Sequence, residues 1–296
     1  MRWRMRVTNE MMVSTALYHL RKNGRNLFRL QVMASSGKKL LSPSDDPLGA
    51  VKAMKYNHQR GLFEQYQRNI DFGHSWLQYT ESVLSDLEGL VSQAHEIAVS
   101  QSSDTADAET RAECAGIIRQ IREQVWQLAN SRFGDRYIFA GLLNDSPPYL
   151  EDGTYQGDAG ELRIALGHNV TIRINLTGPE LLSWGSTDLF QELDELADAL
   201  ENDQPDLIAE KLDTLDQALR QLSRARSEVG ARVDRLESFR GILSSADLDL
   251  AEKLSELEDA DIAEVVTRLA TQEAVYQASL MAIRRLLETN LVTYML

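Results

Sequence analysis

Residues 212–243, LDTLDQALRQLSRARSEVGARVDRLESFRGIL, decide the fold. Leu212, Leu215, Leu219, Leu222, Val229, Val233, Leu236 and Leu243 recur at alternating steps of three and four, and Arg226 and Arg240 occupy the two remaining places in that register. An α-helix turns once in about 3.6 residues, so this spacing lays an apolar seam along one side of a long helix built to pack on other helices.

Toward the C-terminus the same steps run through Ile262, Val266, Leu269, Glu273, Tyr276, Leu280, Ile283 and Leu287, almost to the last residue. Toward the N-terminus they run through Val13, Leu17, Leu20, Gly24, Leu27, Gln31 and Ala34. A longer stretch from Leu62 through Trp76 and Leu87 to Ile97 holds the same register, and Cys114, Ile118, Ile121, Val125 and Leu128 mark one more helix. Trp76 falls on the seam, where packing is its expected role.

The interruptions are equally readable. Ser35-Ser36-Gly37 ends the first helix, and Ser42-Pro43-Ser44-Asp45-Asp46-Pro47 is a loop, with Asp45 or Asp46 as N-cap and Pro47 at the first helical position. Between Tyr149 and Gly178 the period becomes two. Leu162, Ile164 and Leu166 form one strand, Val170, Ile172, Ile174 and Leu176 another, and Gly167-His168-Asn169 the turn between them. The expected fold is therefore mainly α: an elongated bundle of long coiled-coil-like helices from both chain ends, with a small β-rich domain inserted in the middle. Its expected divisions are 1–143, 144–186 and 187–296.

The 296 residues carry a formal net charge of −14, which argues against general nucleic-acid binding. The charge is uneven. Residues 1–70 hold thirteen Lys and Arg against four acids, while residues 251–296 hold eight acids against four bases. The two ends are thus electrostatically complementary, and residues 17–34 and 262–296 are expected to pack as neighbours. No apolar run reaches membrane-spanning length, and the basic opening segment lacks the apolar stretch of a secretory signal, so neither membrane insertion nor Sec export is expected.

Catalytic and metal-binding patterns are not found. The five histidines are scattered, no phosphate-binding glycine loop or nucleophile elbow occurs, and Cys114, the single cysteine, sits on an apolar helical face as a small hydrophobe. Asp152 to Glu161 lacks the ligand spacing of a calcium loop. The acids Glu258-Asp259-Ala260-Asp261 precede a helix, whose positive N-terminal end favours them. No catalytic, cofactor or metal site is expected. The candidate functional residues are instead the terminal seams, Leu17, Leu20, Leu27, Ile262, Val266, Leu269, Tyr276, Leu280, Ile283 and Leu287, together with the loop Ser36, Gly37, Asp45, Asp46 and Pro47.

Those loop residues resemble the N-terminal signature of the flagellin superfamily, a helix followed by an SSG step and an acidic DD turn. Glu258-Asp259-Ala260-Asp261 with Gln272, Tyr276, Gln277, Ala278 and Ser279, preceded by Val229-Gly230-Ala231-Arg232, resembles the matching C-terminal signature. Pro47 and the segment Arg136-Tyr137-Ile138-Phe139-Ala140-Gly141 resemble the hook-associated protein 3 branch more than flagellin itself. Met5-Arg6-Val7-Thr8 is similar to that branch's opening, which makes Met1 to Arg4 an extension or a misassigned start. The resemblance implies a structural adaptor at the hook–filament junction of the bacterial flagellum, exported by the flagellar type III apparatus without a cleavable signal. It implies as partners hook-associated protein 1, flagellin, copies of the chain in a ring and an export chaperone. The alternatives are a minor flagellin and a cytoplasmic coiled-coil scaffold or signalling protein.

Overall fold

The computed structural model describes residues 9–103, 107–184 and 187–294, with side chains over residues 11–285 of those ranges. In chain order the elements are α1 (Asn9–Ser36), α2 (Pro47–Gln101), α3 (Ala108–Ala129), β1 (Arg132–Phe133), β2 (Arg136–Tyr137), β3 (Arg163–Gly167), β4 (Val170–Arg173), α4 (Gly178–Leu182), β5 (Ser183–Trp184), β6 (Thr187–Asp188), α5 (Leu189–Glu201), α6 (Pro205–Glu258) and α7 (Ile262–Tyr294). Long helices from both chain ends pack together, and a small strand-containing region lies between them in the sequence, as the periodicity predicts. The chain forms two compact units, residues 62–245 and residues 1–61 with 246–296.

In residues 62–245 the core is a helical seam. Leu215, Leu222, Val229, Leu236 and Leu243 of α6, one per seven residues, are all buried, while Leu212, Leu219 and Val233 of the second row are half-buried. Each fully buried leucine contributes about 2 kcal/mol from its apolar area. The two arginines in the second row have carboxylate partners on α2. Arg226 reaches Glu81 at 2.7 Å and Glu88 at 2.6 Å, and Arg240 pairs with Asp71. The expected α2 seam is present but wider. Ile70, Leu77, Leu84, Val91 and Ala98 join Trp76, Val83, Leu87 and Ala94 in the core, too broad a stripe for a single partner helix. Ile118, Ile121 and Val125 of α3 are buried as expected, and α3 lies close along α5, bracketed by ion pairs from Arg119 to Glu201 and from Arg122 to Asp194.

The middle of the chain is turns braced by two-stranded ribbons. β1 and β2 form one, upstream of residue 144; β3 and β4 form the expected hairpin, with Ile164 opposite Ile172; β5 and β6 form the third. Asn169 takes the positive φ of 59° that closes the hairpin turn. The β4 ladder stops at Arg173, short of Ile174 and Leu176. Ile174 N–H still donates to the Leu162 carbonyl at 2.9 Å, and the Asn175 side chain then takes over, accepting from Leu162 N–H at 2.8 Å. The hairpin rests on α2 at Gly73, where a Cβ would stand 2.5 Å from Ile164 Cδ1, and Asn69 donates to the Ala165 carbonyl at 2.9 Å. Trp126 Nε1 and Asn130 Nδ2 both donate to the Tyr149 carbonyl, tying this region to the end of α3.

Candidate assembly interface

The unit of residues 1–61 and 246–296 is built on α1 and α7, which run side by side as the charge asymmetry predicts. Two contacts fix their register. Asn23 Nδ2 donates to Ser279 Oγ at 3.0 Å, and Gly24 faces Tyr276, whose Cε2 would stand 3.4 Å from an added Cβ.

Around that register the predicted seam residues divide. Val13, Leu20, Leu27 and Ala34, seven residues apart on α1, are half-buried, as are Leu269, Tyr276 and Ile283, seven apart on α7. The other predicted row is open apart from Gly24 at its contact with Tyr276: Leu17 and Gln31 on α1, and Val266, Glu273 and Leu280 on α7, are exposed. Ile262, at the first position of α7, is exposed too, and the side chain of Leu287 lies outside the described residues. The buried face is completed instead by Ala16, Asn23 and Leu30 on α1 and by Val265, Gln272 and Ser279 on α7, which leaves the row of Leu17, Val266 and Leu280 outside the pair as exposed apolar side chains.

The loop residues hold this pair to α2 and α6. Gly37 ends α1 with a φ of +70°, and its carbonyl accepts from Ala260 N–H at 2.8 Å. Lys39 N–H donates to the Glu258 carbonyl at 2.7 Å, so the α1–α2 and α6–α7 connections are stitched to each other. Lys38 adds an ion pair with Glu258, a bond that raises the lysine's pKa above its ordinary value. Ser36 Oγ accepts from Lys38 N–H, and Asp45 accepts from Ser42 N–H while pairing with Arg29 at 3.1 Å. Asp46 is the N-cap of α2, accepting from Gly49 N–H at 3.0 Å, with Pro47 at the first helical position. Asp261 caps α7 in the same way, accepting from Ala263 and Glu264 N–H. The acidic tetrad thus does helix-start and joint chemistry, and among the described residues no three metal-ligating side chains gather.

Sequence reasoning missed Arg111. Buried in α3, it donates to the carbonyls of Gln101 and Ser103 and pairs with Asp203, tying α3 to the end of α2 and to the residues between α5 and α6. A basic residue on a helix flanked by polar neighbours carries no periodic signal of burial.

Comparison with known proteins adds the following. Residues 7–143 match the bacterial flagellin N-terminal helical region, and residues 212–295 match the bacterial flagellin C-terminal helical region. Flagellar hook-associated protein 3 of Escherichia coli K12 is 28% identical over 93% of this chain and 95% of its own length. Flagellin of Listeria monocytogenes is 22% identical over 92% of each chain. Among solved structures, Bacillus cereus FlgL is 27% identical and superposes with a TM-score of 0.61 over 68% of this chain and 99% of its own.

Proposed function

The chain belongs to the flagellin family, and we propose that within it the protein is the structural adaptor that joins hook to filament. The observation that carries this reading is an uncovered apolar row: once α1 and α7 have packed on each other, Leu17, Val266 and Leu280 stay exposed along them, open to a neighbouring subunit. The likeness to a hook-associated protein, higher in identity than the likeness to flagellin over the same share of the chain, supports the adaptor over a filament subunit. On this reading the terminal helices pack against hook-associated protein 1 on one side and flagellin on the other, with copies of the chain beside them in a ring. The chain is exported through the flagellar type III apparatus, accompanied beforehand by a chaperone, and works outside the cell.

The exposed turn at His168 and Asn169 is the place for a tag, since no core contact depends on it. Electron microscopy of tagged flagella should show label in one band at the distal end of the hook. Label along the whole filament would make the protein a minor flagellin, and retention in the cell regardless of a working export gate would make it a cytoplasmic scaffold.

A further inference from the structure

Two patches on the unit of residues 1–61 and 246–296 remain after the terminal seams are accounted for. At the start of α2, Ala50 and Ala53 are buried, while Leu48, Val51 and Met54 are 71%, 64% and 60% exposed. At about 100° per residue these three turn away from the buried side, and Lys52 and Lys55 stand among them. Near the end of α6, Leu250, Leu254 and Leu257 are half-buried, and Leu248, 68% exposed, turns the opposite way with Asp249 and Glu252. Lys253 stands at the edge of that face. Among the described residues, Lys52, Lys55, Asp249 and Glu252 have no ion-pair partner.

The patches match in three respects. Both are apolar in part, with three large exposed side chains on α2 and Leu248 on α6, one is basic and the other acidic, and they lie at one level. Arg60 of α2 pairs with Asp247 of α6 at 2.8 Å, and the helices are antiparallel there. Lys55 precedes Arg60 by five residues, as Glu252 follows Asp247 by five, so both charges are displaced equally and in the same direction along the pair. Because the patches point outward from opposite sides of that pair, one molecule is unable to bring its own two together.

We propose that these patches meet between successive copies of the chain, the α2 face of one against the α6 face of the next. Different surfaces pairing head to tail at one level generate a ring or a shallow helix, not a closed two-fold dimer. The charges set the direction, since turning one copy over would oppose like charges. The inference rests on the adaptor reading and names the surface by which the copies touch.

The test places Val51→Cys and Leu248→Cys together in a Cys114→Ser background, in cells lacking the unaltered gene, followed by mild oxidation of isolated flagella. Disulfide-linked ladders of the chain are expected from the double variant and from neither single one. Lys52→Glu with Lys55→Glu should abolish the ladder, and adding Asp249→Lys with Glu252→Lys should restore it. A protein present at the hook end that gives no ladder overturns this contact and leaves the adaptor role standing. A cross-linked dimer from one cysteine alone, or a ladder indifferent to the lysine reversal, also overturns it. Absence of the unaltered chain from flagella overturns both.

Discussion

Asn23 on α1 donates its side-chain amide to Ser279 Oγ on α7 at 3.0 Å, joining residues 256 positions apart in the chain. One residue on, Gly24 lies against the Tyr276 ring, so the smallest residue of this stretch of α1 stands opposite a large one on α7.

That contact sets opposite signs for two substitutions. Gly24→Ala would put a Cβ 3.4 Å from Tyr276 Cε2, an ordinary contact, while alanine favours the helix by about 1 kcal/mol. Gly24→Leu carries its bulk past that Cβ, and the part directed at Tyr276 would push the helices apart at a cost of about 1–3 kcal/mol. Hydrogen exchange over α1 and α7 in the purified chain should slow or stay level for alanine and quicken for leucine. Equal exchange in both variants would mean that the close approach does not govern the pairing.

Arg111 makes a second prediction. Its guanidinium satisfies two backbone carbonyls and one carboxylate, and Arg111→Met would leave the Gln101 and Ser103 carbonyls without that donor. A loss of about 2–4 kcal/mol is expected in denaturant unfolding. Arg111→Lys should recover only part of it, because one ammonium does not reproduce the three-way fork. Full recovery with lysine would show that charge alone matters there.

A third concerns pH. Glu180 accepts from Arg173 at 3.0 and 2.7 Å and from Thr177 N–H, so although burial pushes its pKa up, the arginine and the backbone bond hold it below the ordinary carboxylate range. A carboxylate depressed by folding stabilises fully above its unfolded pKa, about 4.3, and that contribution disappears as pH falls through the folded value. Unfolding midpoints should therefore drop as pH is lowered below about 5, and Glu180→Gln should flatten that slope. An unchanged slope in the variant would remove Glu180 from the acid response.

How much of this was legible depended on whether a residue's role repeats along the chain. The row Leu215 to Leu243 was readable because every seventh position meets the same kind of environment, and Asp46 with Pro47 because capping is local chemistry. Arg111 and Asp203 are 92 residues apart, and nothing in either neighbourhood refers to the other. The breadth of the α2 core face escaped for a related reason: periodicity registers that a helix is packed, and a second helix on its flank adds Leu77, Leu84 and Val91 without disturbing the first register. The division of the terminal seams was hidden most thoroughly. Leu280 and Ile283 read alike as apolar steps, and only the position of α1 separates them.

That separation yields the sharpest prediction. Leu280 is exposed in the subunit, so Leu280→Asp should change its stability by no more than about 0.5 kcal/mol, whereas Ile283 is half-buried on the row that faces α1. Ile283→Asp would set a charge in that apolar contact and should loosen the α1–α7 pair itself. Thermal unfolding of the two purified variants should thus differ, with Leu280→Asp resembling the unaltered chain. In cells both should fail to support filaments, the first because the open row rejects its neighbour and the second because the pair that presents the row is lost. A Leu280→Asp variant that is stable and still builds motile, filament-bearing flagella would show that the open row has no partner, and the adaptor reading would then lose the observation on which it stands.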